Sequence, residues 1–312
     1  LGDVYKRQVL INTISSIFFN LNSAETNDKI QELAQEISPL LSEYSNDILL
    51  NEALFEKIKT VYNEKNSLTL SNEEITLLDK TYKGFARNGA NLEGEKRDRL
   101  RDLSVELSKL SLTFGENVLK ETNSYELVIT NESDLDGLPD SIKEAAKLTA
   151  EQKGHENAWV ITLDYPSYVP FMMYAKNGDL REQLSLAFGS RAFKDNEFNN
   201  TEIVKQIVKL REERAILLDY KNHADFTLEE RMAGSPETVF SFLDDLLKKA
   251  KPSAEKEFQE LQAYAKKVDG IEKLNRWDLS YYNEKLKKER FSIDDETLKP
   301  YFKLENCVNG MF

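Results

Sequence analysis

Apolar residues recur every three or four positions through most of the chain, which is the period of an amphipathic helix. The clearest stripe runs over about five helical turns and consists of Leu100, Leu103, Leu107, Leu110, Phe114 and Val118. Shorter stripes of the same kind are Ile30, Leu33, Ile37 and Leu40; Ile203, Ile207, Leu210 and Leu217; and Val239, Phe242, Leu243 and Leu246. The pattern predicts a mostly α-helical protein.

Local signals mark where several of these helices begin and end. Ser71 and Glu74 have the spacing of a capping box, in which each side chain bonds the other residue's amide. Ser235 followed by Pro236 predicts a second helix start, with the proline at the first helical position. Gly89 is a plausible helix stop.

Strand signals are few. Residues 125–130 (YELVIT) and 159–163 (WVITL) are short, rich in β-branched residues and bounded by turn formers. They predict a small β-hairpin or sheet inserted in the helical body. Leu138-Pro139 opens a helix between them, and residues 132–137 are interpreted as a turn within one architecture.

Composition and charge narrow the class of protein. The chain has 312 residues, 40% of them hydrophobic, and a net charge of -13. That charge disfavours nucleic acid and anionic membranes as partners, and no apolar run approaches the roughly 20 residues of a membrane span. Residues 9–21 are apolar enough for a signal segment, but Asn12, Ser15 and Ser16 interrupt them and no clear cleavage site follows.

The first eight residues (LGDVYKRQ) fit no element that follows, and the chain does not begin with Met. We interpret residues 1–8 as a non-native cloning or assembly scar. The true amino terminus, with any targeting signal, is then missing. Residues 9–312 form the helical part to be explained.

The chain offers little for catalysis. Cys307 is the only cysteine, which excludes an internal disulfide, and an incidental role is favoured over a reactive thiol. His155 and His223 are the only histidines. A helical zinc site needs two histidines four positions apart, yet the position four after His155 is Trp159. A surface or helix-capping role is favoured for both histidines.

Other catalytic patterns are missing from the sequence as well. No Gly-x-Ser-x-Gly elbow and no glycine-rich phosphate loop is present. Adjacent acids point about 100° apart on a helix, so they do not form an acid/base dyad. Solvated helix faces are the favoured interpretation of the three such pairs, Glu212/Glu213, Glu229/Glu230 and Asp244/Asp245.

Aromatic residues concentrate near the end of the sequence. This aromatic cluster comprises Trp277, Tyr281, Tyr282, Phe291, Tyr301 and Phe302. Such rings could line a peptide-binding channel. They could equally form a core that joins this part of the protein to something downstream, and that interpretation is favoured.

The same tail resembles the thimet oligopeptidase family of zinc metallopeptidases. That family has Trp-Asp-x-x-Tyr-Tyr, Leu-x-x-Tyr-Phe and Asn-Gly-x-Phe segments in this order. They match residues 276–282 (RWDLSYY), 295–302 (DETLKPYF) and 309–312 (NGMF). Earlier segments agree, among them residues 89–92, 107–119, 168–171 and 233–240. The similarity runs from about Ile17 to Phe312 and is closest to the peptidyl-dipeptidase and oligopeptidase A branch.

The resemblance implies a mostly α-helical, clam-like enzyme whose deep channel admits short peptides. It also implies one zinc ion, held by an H-E-x-x-H helix and a later glutamate. None of those positions occurs before Phe312, so no catalytic or metal-binding residue is assigned and the substrate-binding residues stay unknown. The expected parent is a cytoplasmic zinc metallopeptidase of short oligopeptides. The present chain, incomplete at both ends, would form one wall of the channel and be inactive.

Two alternatives remain open. One is a non-catalytic helical module that binds peptides or proteins, and the other is an acidic helical scaffold unrelated to peptidases. We also predict that the helices between residues 200 and 250 expose apolar stripes, so that the chain associates or is poorly soluble when expressed alone. A monodisperse, cooperatively unfolding monomer in sedimentation and thermal melts would contradict that prediction.

Overall fold

Helices account for most of the chain, as predicted. The computed structural model describes the backbone of residues 2–312 and the side chains of residues 8–294 and 296–312. Within that range lie the helices α1 Gly2–Ala24, α2 Asp28–Leu49, α3 Glu52–Asn63, α4 Asn72–Arg87, α5 Gly94–Ser124, α6 Asp140–Gln152, α7 Tyr165–Tyr174, α8 Gly178–Gly189, α9 Thr201–Leu217, α10 His223–Leu228, α11 Pro236–Asp269, α12 Leu279–Phe291, α13 Asp295–Leu298 and α14 Leu304–Met311. The strands are β1 Leu127–Ile129 and β2 Trp159–Ile161. The mostly α fold with a small inserted sheet is confirmed.

The structure shows the contacts expected at the predicted starts of α4 and α11 and at the predicted end of α4. The amide of Ser71 donates to Glu74 Oε2 at 2.8 Å, and the Glu74 amide donates to Ser71 Oγ at 3.3 Å. At the start of α11, the Thr238 amide donates to Ser235 Oγ at 3.3 Å. Gly89 follows α4 with φ of +90°, and a Cβ there would lie 2.1 Å from a Leu100 methyl carbon.

The chain divides into two compact units. The first combines Leu1–Glu116 with Asn200–Thr238, and the second combines Asn117–Asn199 with Val239–Phe312. The segment predicted to be a turn within one architecture contains a short 3₁₀ turn, Glu132–Leu135, and lies inside the second unit.

The first residues of the chain differ from the sequence-based expectation. Helix α1 begins at Gly2, so the backbone of residues 2–8 continues the helix that follows. The interpretation of residues 1–8 as a non-native scar stays a hypothesis, with Leu1 outside the described residues. None of the described helices is both long and apolar enough to cross a membrane.

The core of the second unit forms around the sheet. The strands pair antiparallel, with Leu127 opposite Ile161 and Ile129 opposite Trp159. Leu127 and Ile129 are buried while Val128 between them is exposed, which is the alternation of a strand with one face in the core. Residues from α6, α7 and α8 complete the same core, including Ala146, Phe171, Met172, Leu184 and Ala187.

One of the two apolar stripes predicted to be exposed between residues 200 and 250 is exposed, and the other is not. Every residue from 240 to 260 on α11 is exposed. The large apolar side chains on this stretch are Phe240, Phe242, Leu243, Leu246, Leu247 and Phe258, and those on α9 are Val204, Val208 and Ile216. The α11 stripe of Phe242, Leu243 and Leu246 is therefore open in this structure, whereas the predicted α9 stripe of Ile203, Ile207, Leu210 and Leu217 is buried or half-buried. Association of the chain stays a prediction.

Candidate functional site

His155 takes part in an ion cluster at the edge of the small sheet. Its Nε2 lies 2.7 Å from Glu126 Oε2, and Lys153 Nζ lies 2.9 Å from Glu126 Oε1. Hydrogen bonds from Lys153 and from His155 lower the pKa of the Glu126 carboxyl below its usual range. His155 is half-buried and paired, so the structure gives it a partner that the sequence did not predict.

His223 is the first residue of α10, and the cap of that helix is its neighbour Asn222. The Asn222 Oδ1 accepts from the Asp225 amide at 2.9 Å. Burial, together with the charges of Arg211 and Arg214, lowers the pKa of the His223 imidazole. The ring is therefore held neutral near pH 7. The predicted capping function belongs to Asn222.

The described side chains do not assemble a zinc site. Among residues 8–294 and 296–312, no group of three or more His, Cys, Asp or Glu side chains could hold a metal ion. His155 and His223 belong to different compact units. The donors present do not fit the zinc that the resemblance implies, so no catalytic step through a metal can be derived from them.

The Trp-Asp-x-x-Tyr-Tyr segment is organised by Arg181 of α8. Arg181 Nη2 donates to Asp278 Oδ1 at 2.7 Å, and its Nε donates to the Trp277 carbonyl oxygen at 3.2 Å. Its Nη1 donates to the Ala175 carbonyl oxygen at 2.7 Å, and its Cζ lies 4.2 Å from the centre of the Tyr281 ring. Because this guanidinium is buried with its hydrogen-bonding capacity used, the arrangement is a structural joint.

Tyr282 extends this joint toward the end of α11. Lys285 Nζ lies 2.8 Å from Asp269 Oδ2, and Asp269 also accepts a hydrogen bond from Tyr282. Burial, followed by the Asp269 charge, raises the pKa of the Tyr282 phenol well above its usual range. The hydroxyl therefore stays protonated and acts as a donor.

The aromatic cluster predicted from the sequence divides into two groups. Tyr281 and Tyr282 are buried, and Trp277 packs against the core around the sheet. The other rings are exposed: Phe291 by 70%, Tyr301 by 78% and Phe302 by 67%. Tyr281 and Tyr282 thus belong to a core within their own unit, whereas the three exposed rings do not. The interpretation of the cluster as a core that joins a downstream part stays a prediction.

The adjacent acids have separate partners, in agreement with their divergent directions on a helix. Glu213 accepts from Arg99 at 2.6 and 2.9 Å. Glu229 pairs with Arg87, whereas Glu230 pairs with Lys83 at 3.2 Å. Cys307 is an exposed free thiol on α14.

The second unit also contains an open groove between α11 and α12 of about 640 Å³. Apolar and polar side chains both line it, among them Phe258, Leu279, Ser280, Asn283 and Arg290. This size falls in the range of small-ligand sites. Its hydroxyl and carboxamide could bond to peptide groups.

Arg181 is the residue that the sequence analysis missed. On α8 the buried positions are Arg181, Leu184, Ser185 and Ala187. A charged residue on the apolar face of a helix signals a buried, paired charge, and that signal was available from the spacing. The identity of its partner was not, since Asp278 lies 97 positions further along the chain.

The fold and these contacts define a mostly α-helical segment whose described residues form structural joints and a groove. The model of the family described as Peptidase family M3 matches residues 171–312 of this chain. Oligopeptidase A of Salmonella typhimurium is 36% identical over 307 residues, covering 97% of this chain and 45% of the relative. Dipeptidyl carboxypeptidase of Escherichia coli is 31% identical over 304 residues, with the same shares of 97% and 45%.

A plant protein shows the same relation. The probable cytosolic oligopeptidase A of Arabidopsis thaliana is 31% identical over 310 residues, covering 97% of this chain and 44% of the relative. The family match and these relatives together support assignment of the chain to peptidase family M3, and they confirm the resemblance carried by its motifs. It spans less than half the length of these curated relatives.

Proposed function

We propose that the parent protein is a zinc-dependent metallopeptidase that hydrolyses short oligopeptides and releases dipeptides or short pieces. The observation that carries this proposal is the 36% identity to an oligopeptidase A along 97% of the chain. The name of a second relative, dipeptidyl carboxypeptidase, also describes a peptidase of short products. Short peptides are therefore the proposed substrates.

In this proposal the chain contributes a wall of the substrate channel and no catalytic group. The groove between α11 and α12 supports that role, because it presents apolar side chains beside Ser280 and Asn283. The zinc ligands of the parent would lie outside the described residues. A cytoplasmic location is part of the proposal and is supported by the relative named probable cytosolic oligopeptidase A.

The test begins from the source DNA beyond the Phe312 codon. The extended reading frame is expressed and assayed with quenched fluorescent oligopeptides, with and without a chelator. We expect the frame to encode H-E-x-x-H and a later glutamate, and we expect hydrolysis that the chelator abolishes and zinc restores. A stop within a few codons, or an extended protein that folds but cleaves nothing, would contradict the proposal.

A helical peptide-binding module is the second candidate. It is favoured by the same groove, since Ser280 and Asn283 have no hydrogen-bond partner among the described residues. The 312-residue chain would then bind labelled peptides in fluorescence anisotropy without cleaving them. Replacing Asn283 by Ala should weaken that binding, whereas replacing the exposed Asn309 by Ala should not.

A further inference from the structure

A second arginine, Arg214 of α9, lies in the first unit where α4, α9 and α10 meet. Its Cζ is 5.2 Å from the centre of the Phe226 ring, and the Cζ of Arg87 is 4.4 Å from the same centre. Two guanidinium groups thus share one aromatic ring. His223 lies 6.2 Å from that ring, centre to centre. We call Arg211, Arg214 and His223 the Arg214 cluster.

Arg87 is fully engaged with its own partners. Its Nη2 donates to the Phe226 carbonyl oxygen at 2.6 Å, and its Nη1 contacts the Tyr220 hydroxyl at 3.2 Å and the Glu229 carboxylate. Tyr220 in turn donates to Glu229 at 2.5 Å. The charge of Arg87 is therefore compensated and its nitrogens are used.

Arg214 has no such partner. Among the described side chains it makes no hydrogen bond and no ion pair, and its Nε is buried and unbonded. His223 Nδ1 is also buried without a partner in the same part of the chain. Burial, and then the charge of Arg87, lower the pKa of Arg214, which shows that the site opposes its positive charge. Arg214 is half-buried, and a guanidinium that has no ion pair and a buried, unbonded Nε retains hydrogen-bond donors that an anion can accept.

None of the nearby carboxylates pairs with Arg214. Glu229 is occupied by Arg87 and Tyr220. Glu213, next to Arg214 in sequence, accepts two hydrogen bonds from Arg99. Asp225 accepts from the Asn222 side-chain amide at 2.9 Å. The positive charge of Arg214 is left without a counter-charge, and the charge of Arg211 also acts on this region.

We propose that the Arg214 cluster binds a small oxyanion, with the guanidinium of Arg214 as its main donor. A planar guanidinium presents donors in a fork that matches the two oxygens of a carboxylate or phosphate. A bound anion would offset the charge of Arg214 and favour a second proton on His223. Free phosphate and the terminal carboxylate of a short peptide share this chemistry and are the two sources to distinguish. The proposal does not depend on peptidase activity.

The test uses the 312-residue chain and its two histidines. The imidazole signals are followed by ¹H–¹³C correlation spectroscopy while sodium phosphate, or acetyl-dialanine as a peptide carboxylate, is added at constant ionic strength. The His223 signal should move saturably and that of His155, which is paired with Glu126, should not. Phosphate alone or the peptide alone giving the shift would identify the source. No shift with either would overturn the proposal.

Variants assign the binding to Arg214. Arg214→Gln should weaken the anion about tenfold, the effect of losing one hydrogen bond to a charged group. Arg276→Gln is the control, because Arg276 is an exposed arginine of the second unit with no ion pair among the described residues. It should bind as the wild type does. If circular dichroism shows that Arg214→Gln is unfolded, Arg214→Lys replaces it and should bind several-fold more weakly. Equal affinity of the wild type and of Arg214→Gln, or of Arg214→Lys where it replaces that variant, would overturn the assignment.

Discussion

Arg181 and Arg214 both contact an aromatic ring, yet Arg181 is buried and paired whereas Arg214 is half-buried and has no ion pair among the described residues. Each stacks on an aromatic ring, at 4.2 Å from Tyr281 and 5.2 Å from Phe226. Arg181 is only 3% exposed and is bonded to Asp278 and to backbone carbonyl oxygens. Arg214 has no partner among the described residues. A satisfied arginine stabilises the fold, whereas an unsatisfied one has binding capacity left over.

The comparison also explains what the family motif does. Trp277, Asp278 and Tyr281 belong to the segment that carries the resemblance, and all of them contact Arg181. A buried ion pair is costly to break on one side, because the remaining charge loses its compensation. In this chain the motif therefore has a structural role.

The largest effect is expected from breaking the satisfied pair. Arg181→Met should lower the free energy of unfolding by about 3–5 kcal/mol, since it leaves Asp278 buried and unpaired. Chemical denaturation followed by circular dichroism measures it. The double variant Arg181→Met/Asp278→Leu should regain most of this loss, and Arg276→Met, at an exposed arginine, should change stability by less than about 0.5 kcal/mol. A double variant as unstable as the single one would show that the pair is not the cause.

A smaller effect is expected at the edge of the same joint. Tyr282→Phe removes the hydroxyl that donates to Asp269 but leaves the Lys285 pair intact. We expect a loss of about 1 kcal/mol in the free energy of unfolding, the typical net value of one hydrogen bond. The matched control is Tyr301→Phe at an exposed ring, which should have no effect. A similar loss of unfolding free energy in both variants would show that the Tyr282 hydroxyl does not stabilise the joint.

Glu126, Lys153 and His155 form an ion cluster whose members are partly exposed. The loss of stability expected from breaking it is therefore smaller than that expected at Arg181. The lowered pKa of Glu126 means that its contribution is present above its ordinary value of 4.5 and is lost as the pH falls below it. Glu126→Gln should therefore cost less than about 1 kcal/mol at pH 7 and nothing in strong acid. Urea denaturation of both proteins from pH 7 to pH 3 measures this. If the difference in unfolding free energy between the wild type and Glu126→Gln grew as the pH fell, the predicted direction of the pH dependence would be wrong.

The smallest effect is expected where no partner exists. In oxyanion-free buffer, Arg214→Gln should change the free energy of unfolding by less than about 1 kcal/mol, because it loses only the contact with the Phe226 ring and breaks no ion pair. A slight gain is consistent with the pKa of Arg214, which burial and Arg87 lower. Thermal unfolding with and without phosphate makes the comparison, and phosphate should stabilise only the wild type. A loss above about 2 kcal/mol would mean that Arg214 has a structural partner after all.

Much of the fold was predictable because its signals are local. The stripe from Leu100 to Val118 predicted a helix that the structure extends over Gly94–Ser124. The Ser71 box and the Pro236 start depend on neighbours within three or four residues, so they could be read directly. The strands were placed correctly but predicted too long. Only Leu127–Ile129 and Trp159–Ile161 pair with each other, within the predicted segments 125–130 and 159–163.

The candidate sites were less predictable because their partners are distant in sequence. Glu126 and His155 are 29 positions apart, and Arg87 and Glu229 are 142 apart. The aromatic cluster shows the same limit. Tyr282 and Tyr301 were assigned to one cluster because aromatic residues are frequent in that part of the sequence. In the structure Tyr282 is buried and Tyr301 is exposed.

The sequence by itself determined the helical class, several helix boundaries and the family resemblance, since periodicity, capping residues and ordered motifs are properties of neighbouring positions. Only the tertiary structure decided which charges are compensated. Arg181 and Arg214 look alike in the sequence, and they differ because Asp278 is folded against one of them while no described acid is paired with the other. The physical reason is that the cost of a charge depends on its solvation and its partners, which are set by contacts between residues far apart in the chain.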